Sequence, residues 1–407
     1  MTDVASDARH AGSASRDERN ATRPRAARRY NCGPIRRALL RAGSTLLGAM
    51  RILHVTEAFC GGVFTSLTRL SSGLARRGHA VHLAFARRPE TPADVAAYVD
   101  PSVVLHELPL VRSISPVADL RGVFAVRRLL NELRPDIVHF HSSKAGVLGR
   151  AAAWITGDLR HAYYSPRGLA FLQEDHSLRA RAFYRFVERS AARLGGTVVA
   201  CSASEYALVK SEIRPVRAEL VENAIDVDAV PTRVERNDGR IRIGSAGRAT
   251  YHKNPELFAA MATRLARDGV DFVWIGGGDG DDVRPLEQAR VTVTGWLSRP
   301  DALRETSELD IYLHPSRWEG MPIALIEAQV CGLPAVANDA VGNRDVVRHG
   351  ITGFVSHDAD DMAGSLARLI DDAALRLAMG DRARSEALQR FRLERLVDDF
   401  ERLYAAS

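Results

Sequence analysis

The feature that most constrains this chain is a regular alternation of short apolar segments with helical stretches, which starts at Met50. The segment "MRILHVTE" is typical of a buried strand, and a glycine-rich turn and a helix with Leu67, Leu70 and Leu74 on one face follow it. A second apolar strand, "VHLAFA", completes a βαβ unit. Further strands are predicted at "DIVHFHS", "HAYYSP" and "TVVACS". This alternation predicts a parallel sheet with helices on both faces.

The pattern stops at a polar, turn-rich segment, "ENAIDVDAVPTRVERNDGR", and then restarts. A second set of strands is predicted at "IRIGSAGR", "DFVWIGGG", "VTVTGW", "LDIYLHPS", "LPAVAND" and "GFVS". We therefore predict an α/β fold with two Rossmann-like, doubly wound domains, at residues 50–225 and 226–390, that face each other across a cleft. The amphipathic segment 391–407 is predicted to be a C-terminal helix that packs back toward the first domain.

Residues 1–49 carry the net charge of the chain. They contain ten Arg against four acidic residues, a surplus that accounts for the formal charge of +6 of all 407 residues. Because the remainder is neutral, no nucleic-acid groove is expected. The segment has little apolar periodicity, and we predict a disordered basic extension. The four cysteines lie far apart, and we find neither a signal peptide nor a run of about 18 apolar residues, so a cytoplasmic location is predicted.

Two carboxylates lie close together in the segment "SRWEGMPIALIEAQVCGLP". Pro322 suits the first turn of a helix and Gly332 its C-terminal cap, so a helix is predicted from about 322 to 331, with Glu319 in the preceding loop. Glu327 lies inside that helix among apolar residues, where a carboxylate must face solvent or accept hydrogen bonds. Sugar and ribose hydroxyls are suitable donors, and the helix N-terminus suits a phosphate. The alternative is that Glu327 lies on a wet face and that Glu319 is only an N-terminal charge.

A second segment, "GSAGRATYHKNPELFAAM", places two cations before a predicted helix. A strand ends at Arg248, and Asn254 and Pro255 can cap a helix with an apolar face, so that Arg248 and Lys253 lie on the loop between them. Lys253 is one of only three lysines, against 53 arginines. This favours a specific requirement for a compact ammonium group, such as a diphosphate would impose. The alternative is two solvated charges.

Together and in this order, the motifs resemble glycosyltransferase family 4, which are retaining enzymes of the GT-B fold. The resemblance rests on "GR" followed by Lys253 before a helix and on Glu319 and Glu327 eight positions apart. It is supported by "GGV", "HFHSSKAGVLGR", "CSASE", "NAID", "TGW" and "VGNRDVVRHGITGFV", and it extends through nearly all of residues 50–405. The implied fold is GT-B, with two Rossmann-like domains.

The resemblance also implies a donor site for a nucleotide diphosphate sugar, with no other cofactor. Arg248 and Lys253 would contact the diphosphate, Glu319 the transferred sugar and Glu327 the ribose, and Arg248, Lys253 and Glu319 are the implied catalytic residues. The other implied donor-binding residues are Gly61, Gly62, Gly320, Met321, Pro322 and Ile323. Glycines at 61 and 62 would allow close approach of the backbone, although a plain tight turn is the alternative.

Two further residues are candidate cleft contacts, Arg167 and His141. Arg167, in "YYSPRGLAF", stands where family members commonly have His, and we expect it to contact the donor sugar or a phosphate oxygen. The alternative is a structural ion pair with Glu174 or Asp175. Asp345 stands where the family more often has Glu, so its contact with the donor is not carried over.

No metal ion is expected. Asp279-Gly280-Asp281 spells a D-x-D motif, which in another glycosyltransferase fold binds a divalent metal, but short Asp-rich turns are common in loops. Charge on the leaving diphosphate would instead be stabilised by Arg248, Lys253 and a helix N-terminus. No pair of carboxylates is arranged as in a glycosidase.

The predicted function is transfer of a sugar from a nucleotide diphosphate sugar to a hydroxyl of a growing surface glycan, with retention. "HSSKAGVLGR" and "YYSPRGLAF" look most like enzymes of exopolysaccharide or O-antigen assembly. This implies a polyprenyl diphosphate-linked acceptor and peripheral contact with the inner face of the cytoplasmic membrane. The alternative is a sugar-nucleotide epimerase of similar two-domain fold, which needs no acceptor. A non-catalytic binding module would have little reason to keep the four charged donor residues together.

Overall fold

The structure is a computed structural model that describes residues 48–214 and 216–406. The disordered extension predicted for residues 1–49 lies outside the described residues, apart from its last two positions. Within the described range, helices alternate with the strands of two parallel sheets. The predicted α/β class, with two Rossmann-like doubly wound domains, is confirmed.

The first sheet is built from strands that each follow the preceding one through a helix or a loop. These strands are β1 (Arg51–Thr56), β2 (Ala80–Phe85), β3 (Val104–Glu107), β4 (Ile137–His141), β5 (Ala162–Ser165), β6 (Thr197–Ala200) and β7 (Arg217–Leu220). Their order in the sheet is β3-β2-β1-β4-β5-β6-β7, and neighbouring strands are parallel. The helices of this half are α1 (Gly61–Arg76), α2 (Pro116–Leu133), α3 (Ser143–Thr156), α4 (Leu178–Leu194) and α5 (Ala203–Glu212).

The second sheet repeats this arrangement. Its strands are β8 (Ile241–Ala246), β9 (Val270–Ile275), β10 (Thr292–Val293), β11 (Ile311–His314), β12 (Ala335–Asn338) and β13 (Gly353–Ser356), in the order β10-β9-β8-β11-β12-β13. The helices are α6 (Pro255–Arg264), α7 (Gly280–Gln288), α8 (Arg299–Ser307), α9 (Ile323–Cys331), α10 (Asn343–Val346), α11 (Ala359–Asp371), α12 (Ala373–Arg390) and α13 (Leu393–Ala405).

The strand order reverses once in each sheet, and this reversal positions the functional loops. In the first sheet, β1 has β2 on one side and β4 on the other; in the second, β8 has β9 and β11. Connections from such neighbours leave toward opposite faces, so a crevice opens at the carboxyl ends of the two strands. The loops that follow β1, β4, β8 and β11 therefore line the two crevices.

The two edge strands of the first sheet, β3 and β7, are absent from the sequence prediction. Both are four residues long, and their side chains are half-exposed or exposed. Neither has the continuous apolar run that marks the buried central strands, and β7 reads only "RAEL". These strands form because they pair with β2 and β6, respectively. The apolar pattern within each short segment does not reveal that pairing.

The two faces of the first sheet are covered by different helices. On β1, Ile52 belongs to an apolar cluster that includes residues of α1 and α13, whereas Leu53 and Val55 pack in a cluster with residues of α2, α3 and α4. This alternation is the two-residue period of a strand, so His54 points to the same face as Ile52. Both faces are buried.

The C-terminal helix α13 lies against α1 of the first domain. Gly73 of α1 is the close contact, because a Cβ at that position would lie 2.5 Å from Val397. The hydroxyl of Tyr404 lies 2.6 Å from Nδ1 of His139 on β4. The chain passes from the first domain to the second near Ile225 and returns near Phe391. These two crossings are adjacent, because the amide of Ile225 donates to the carbonyl of Phe391. The last helix of the chain thus completes the core of the first sheet.

Of the helices in the described part of the chain, none has both the length and the apolar character that a membrane span requires.

Candidate active site

The crevice of the second sheet is lined by two loops that are joined by hydrogen bonds. One follows β8 and ends in a single 3₁₀ turn, Tyr251–Lys253; the other follows β11 and leads to α9. Asn254 accepts a hydrogen bond from the Leu257 amide as the N-cap of α6, and its Nδ2 donates to the carbonyl of Pro315, 3.2 Å away. The Arg317 amide donates to the His252 carbonyl at 3.0 Å. These bonds bring Lys253 and Glu319 together.

Lys253 and Glu319 form an ion pair at the centre of the site. Nζ lies 2.7 Å from Oε1, and Glu319 is only 9% exposed. His314 and His252 lie 3.5 and 3.6 Å from the same carboxylate oxygen. Burial alone would raise the pKa of Glu319, but the positive charge of Lys253 and the two imidazoles hold it well below its usual value. Glu319 is therefore an ionised acceptor of hydrogen bonds and cannot serve as a proton donor near neutral pH.

His314, beside this ion pair, is uncharged near neutral pH. Burial lowers the pKa of His314 to about 4, and burial also lowers that of His252. The cation that balances Glu319 at neutral pH is consequently Lys253. Removing Lys253 would leave a buried carboxylate without its counter-ion, which is far more costly than losing an exposed pair.

Arg248 is bound by the opposite domain. Its guanidinium forms an ion pair with Glu90, which lies on the loop after β2, and it lies 5.5 Å from the ring of Trp296. Both charged side chains remain more than one third exposed. The Arg248 guanidinium holds the pKa of Glu90 below its usual value. The predicted diphosphate contact of Arg248 is thus occupied by a carboxylate of the protein itself.

The N-termini of α1 and α9 meet across the crevice. Gly62 is the second residue of α1, and a Cβ there would lie 3.5 Å from Cγ1 of Ile323, the first residue of α9. Gly61 has φ +52°, a left-handed conformation that favours glycine. The helix predicted from about 322 to 331 is present as α9, with Pro322 at its N-cap. Two sets of unpaired helix amides therefore point into one space, which favours an anion.

The loop before α9 packs closely on the first domain. A Cβ on Gly320 would lie 2.8 Å from the Gly168 amide nitrogen and 2.9 Å from Sγ of Cys201. Gly342, with φ +85°, approaches Gly320 from the other side, and its own Cβ would lie 2.5 Å from the Gly320 carbonyl oxygen. The Met321 carbonyl accepts a hydrogen bond of 2.8 Å from Nδ2 of Asn223. The donor loop predicted at 320–323 is therefore held by both domains.

Glu327 is buried and paired. It is 8% exposed, and Arg299 at the start of α8 forms an ion pair with its Oε1. Burial raises the pKa of Glu327, and the nearby Arg299 opposes that shift. The alternative of a wet helix face is wrong for this residue. In this structure its partner is Arg299, and its contact with a ribose stays a prediction.

Arg167 joins three parts of the first domain and its linker. Its Nη1 donates to Oγ of Ser66 on α1 at 2.8 Å and to Oδ1 of Asn223 at 2.9 Å, while Nη2 lies 3.5 Å from Nδ1 of His141. Within the described residues it forms no ion pair with Glu174 or Asp175, so the structural pair weighed from the sequence is not present. Because Asn223 holds the Met321 carbonyl, Arg167 reaches the donor loop through one intermediate side chain.

His141 is fully buried in a cluster with two other histidines of the first sheet. Its Nε2 lies 3.1 Å from Nδ1 of His54. His139 contacts the Tyr404 hydroxyl and, at 2.9 Å, Oγ of Ser165. Burial lowers the pKa of His54 to about 3 and holds those of His139 and His141 well below their usual value. A direct contact of His141 with a donor stays a prediction that its burial does not favour.

This histidine cluster is the group in the described part of the chain whose ligand atoms are close enough for a metal ion to be considered. The rings of His139 and His141 are stacked, with centroids 4.0 Å apart and planes inclined by 27°. Lone pairs in the planes of stacked rings do not converge on one point, and both nitrogens of His139 already have partners. The geometry fits a hydrogen-bonded core. In the D-x-D sequence, Asp281 pairs with Arg284.

Four residues of the site were missed by sequence reasoning. Ser204 donates to Asp345 across the domains, its amide at 3.0 Å from Oδ1, and Asn223 holds the donor loop. Both lie in segments that carry the family resemblance, so a signal was available. Glu90, in a loop, and Arg299, at the start of α8, lie in segments without a motif, and their roles depend on contacts with the distant segments that hold Arg248 and Glu327.

Comparisons with known proteins agree with the fold and the motifs. The family profile described as Glycosyltransferase Family 4 matches residues 60–229, and that described as Glycosyl transferases group 1 matches residues 240–372. The solved structure of sucrose-phosphate synthase from Thermosynechococcus elongatus superposes with a TM-score of 0.75 at 18% identity, over 88% of this chain and 100% of that one. That likeness supports the shared fold alone.

Two relatives are similar over most of the chain. The UDP-Gal:alpha-D-GlcNAc-diphosphoundecaprenol alpha-1,3-galactosyltransferase of Escherichia coli is 28% identical over 334 residues, which cover 75% of this chain and 85% of that protein. The N,N'-diacetylbacillosaminyl-diphospho-undecaprenol alpha-1,3-N-acetylgalactosaminyltransferase of Campylobacter jejuni is 24% identical over 308 residues, 68% of this chain and 79% of that protein. Both are transferases, and neither gives support to the epimerase alternative.

Fold, motifs and profiles define the class of protein as a glycosyltransferase with the GT-B architecture. The chain belongs to glycosyltransferase family 4.

The buried histidines predict a loss of stability in mild acid. Below pH 6.5 the unfolded chain binds a proton at His54 that the folded chain, with a pKa of about 3, does not bind. The free energy of unfolding should therefore fall as the pH decreases from about 6.5, by at most about 1.4 kcal/mol per pH unit for each such histidine. Urea titrations at pH 7, 6 and 5 measure this dependence. In His54→Gln the unfolded chain should bind about one proton fewer, so the free energy of unfolding should fall less steeply with decreasing pH. The exposed His161 supplies the control, since His161→Gln removes an imidazole that lies outside the buried cluster. Equal slopes in wild type and His54→Gln would contradict the assignment.

The contacts of Arg167 predict that it positions the donor loop from inside the protein. Arg167→Ala loses two charge-assisted hydrogen bonds and should reduce the free energy of unfolding by about 2–3 kcal/mol. Asn223→Ala removes one shared partner, so the double variant should lose less than the sum of the single losses. Urea unfolding of the three variants measures this coupling. Full additivity, or a stable Arg167→Ala that has lost turnover, would instead indicate direct contact with substrate.

Proposed function

We propose that this glycosyltransferase moves a sugar, with retention, from a nucleotide diphosphate sugar to a polyprenyl diphosphate-linked glycan in surface polysaccharide biosynthesis. The names of the Escherichia coli and Campylobacter jejuni relatives both include a diphosphoundecaprenol-linked glycan. The observation that carries the proposal is the ion pair of Lys253 and Glu319 in the crevice between two helix N-termini. We place the reaction on the inner face of the cytoplasmic membrane, in peripheral contact with the lipid that bears the acceptor.

Each charged residue of the crevice has a role suited to one part of the donor. We assign the diphosphate to Arg248, Lys253 and the amides at the start of α9, because these are the positive groups that converge there. Glu319, which stays ionised, accepts hydrogen bonds from hydroxyls of the transferred sugar. Glu327 lies about one turn inside α9. It would accept hydrogen bonds from the ribose hydroxyls in place of its ion pair with Arg299.

The chemistry follows from these positions. The bond between the anomeric carbon and the diphosphate oxygen breaks, and negative charge develops on the leaving group, where Lys253 and Arg248 can stabilise it without a metal ion. The acceptor hydroxyl forms the new bond from the same face, and a phosphate oxygen of the leaving group takes its proton. This order of events gives retention without a carboxylate nucleophile.

Donor binding requires one exchange of partners. Glu90 occupies Arg248 in the donor-free structure, and both side chains are partly exposed, so the pair is weak. A diphosphate carries more charge than one carboxylate and should displace it. Glu90 therefore acts as a competitor for the donor, contributed by the opposite domain.

The transfer itself is tested with the purified protein, UDP-, GDP- and dTDP-sugars, and a short-chain prenyl diphosphate-linked glycan. We expect one donor to give a glycan that is longer by one sugar, and the configuration of the new bond should match that of the donor. An altered nucleotide sugar released without acceptor would indicate an epimerase. Inversion of configuration would contradict the proposed mechanism.

Loss of Lys253 is predicted to abolish most of the activity. Lys253→Ala and Glu319→Gln should each reduce kcat by roughly two to three orders of magnitude, the usual scale for removing one preorganised charge at a reacting centre. Lys210→Ala is the matched control, because Lys210 is an exposed lysine at the end of α5. Initial rates with saturating donor and acceptor measure the effect, and circular dichroism checks folding. Near wild-type rates in a folded Lys253→Ala would refute the site.

A further inference from the structure

The exposed apolar side chains of this protein are concentrated on one layer of helices. Of the seventeen large apolar residues that are exposed in the described chain, nine lie on or just before α2, α3 and α4. These three helices pack side by side over one face of the first sheet, and their inner sides belong to the apolar cluster around Leu53 and Val55. The core does not need the outer apolar residues. Clusters of this kind mark interaction surfaces.

Seven of the nine residues make up a group toward one end of the layer, on or just before the two helices, α2 and α4, that flank α3. We call it the apolar helix face, and it consists of Ile114, Val117, Leu120, Phe124, Leu178, Phe183 and Phe186. Helices α2 and α4 each lead from the carboxyl end of one parallel strand to the start of the next, so they run in the same direction. Both carry their exposed apolar residues in the N-terminal half. The apolar helix face therefore lies toward the carboxyl edge of the sheet, where the crevice opens.

The C-terminal halves of the same two helices are basic on their outer side. Arg127 and Arg128 follow Phe124 on α2, and Arg189 and Arg193 follow Phe186 on α4. Seven residues of helix separate Phe186 from Arg193, about 10 Å along the axis. The basic residues therefore lie farther from the apolar end of the layer than the phenylalanines do.

The basic charge of this layer is not cancelled by its acids. Within the described residues, Asp119, Glu132 and Glu188 form ion pairs with Lys144, Arg128 and Arg150, and Glu212 pairs with both Arg185 and Arg189. No ion pair with another described residue is formed by Arg112, Arg121, Arg127, Arg179 or Arg193. The exposed acids near the apolar helix face are Glu174 and Asp175, on the loop before α4. A positive surplus remains around it.

We propose that the apolar helix face docks the enzyme on an anionic lipid bilayer, with the phenylalanines in the acyl boundary and the arginines at the level of the lipid phosphates. Charge complementarity selects this occupant, because an apolar patch bordered by unpaired arginines fits an anionic lipid surface. The inference rests on the proposed function, since it brings the crevice to the depth at which a lipid-linked diphosphate would lie. The inference adds to the proposed function the surface of the protein that contacts the membrane.

The test is flotation of the purified full chain with vesicles, which does not depend on activity. We expect binding to phosphatidylcholine vesicles with about 30 mol% phosphatidylglycerol, weak binding to phosphatidylcholine alone, and release at about 0.5 M NaCl. Phe183→Ser/Phe186→Ser should reduce the bound fraction by at least about tenfold. Trp154→Ser/Ile155→Ser is the matched control, because these residues are exposed on the same layer but at the far end of α3, and it should bind as wild type does.

Each outcome decides the proposal. Equal losses in both double variants, or binding that ignores lipid charge, would overturn it, as would a wild-type chain that never floats. Self-association lost in Phe183→Ser/Phe186→Ser would identify a second copy of the chain as the occupant instead. Transfer to a water-soluble acceptor separates this inference from the proposed function: Phe183→Ser/Phe186→Ser should keep the wild-type rate there and lose it only with acceptor embedded in vesicles. Loss of both rates would overturn the inference, because the two phenylalanines would then be needed by the enzyme in the absence of lipid.

Discussion

The ion pair of Lys253 and Glu319 is the interaction on which the arrangement of the donor crevice depends. A carboxylate that is 9% exposed needs a nearby cation, and the neutral His314 cannot supply it. Lys253 meets Glu319 because β8 and β11 are neighbours in the sheet and their loops are tied together through Asn254. The same pair leaves an ammonium and an ionised carboxylate at the N-terminus of α9. The ion pair of Lys253 and Glu319 thus both stabilises the two loops and provides the charged groups that a ligand with phosphates and hydroxyls would contact.

The relation between the two domains depends on residues that lack a side chain. Gly320 allows the donor loop to lie against the first domain at distances that a Cβ would obstruct, and Gly342 allows the loop after β12 to approach Gly320 equally closely. Polar bonds then fix this contact, from Asn223 to the Met321 carbonyl and from Ser204 to Asp345. A substrate that enters between the domains therefore meets backbone amides at close range, which is the environment that phosphate oxygens require.

The sequence predicted most of the fold and the loops of the site, but not the partners of the site residues. Buried strands such as β4 carry a continuous apolar signal, whereas "RAEL" in β7 acquires its pairing only from β6. Arg248 and Glu327 were predicted as ligand contacts, and in the structure each is paired with a side chain from a distant segment, Glu90 and Arg299. No local pattern encodes such a pairing, because it depends on how the loops of different elements meet. Arg167 shows the same limit, since its partners Ser66 and Asn223 are far from it in sequence.

The central claim is that the diphosphate of the donor binds where Arg248 now holds Glu90. Calorimetric titration of UDP, GDP, ADP and dTDP into wild type, Glu90→Gln, Arg248→Ala and the double variant tests it most directly. With the nucleotide that binds, Glu90→Gln should increase affinity about three- to tenfold, because the competing carboxylate is gone, and Arg248→Ala should weaken binding at least about tenfold. In the absence of Arg248, the Glu90→Gln change should have no effect. A gain from Glu90→Gln that persists without Arg248, or unchanged affinity in all the variants, would contradict the account.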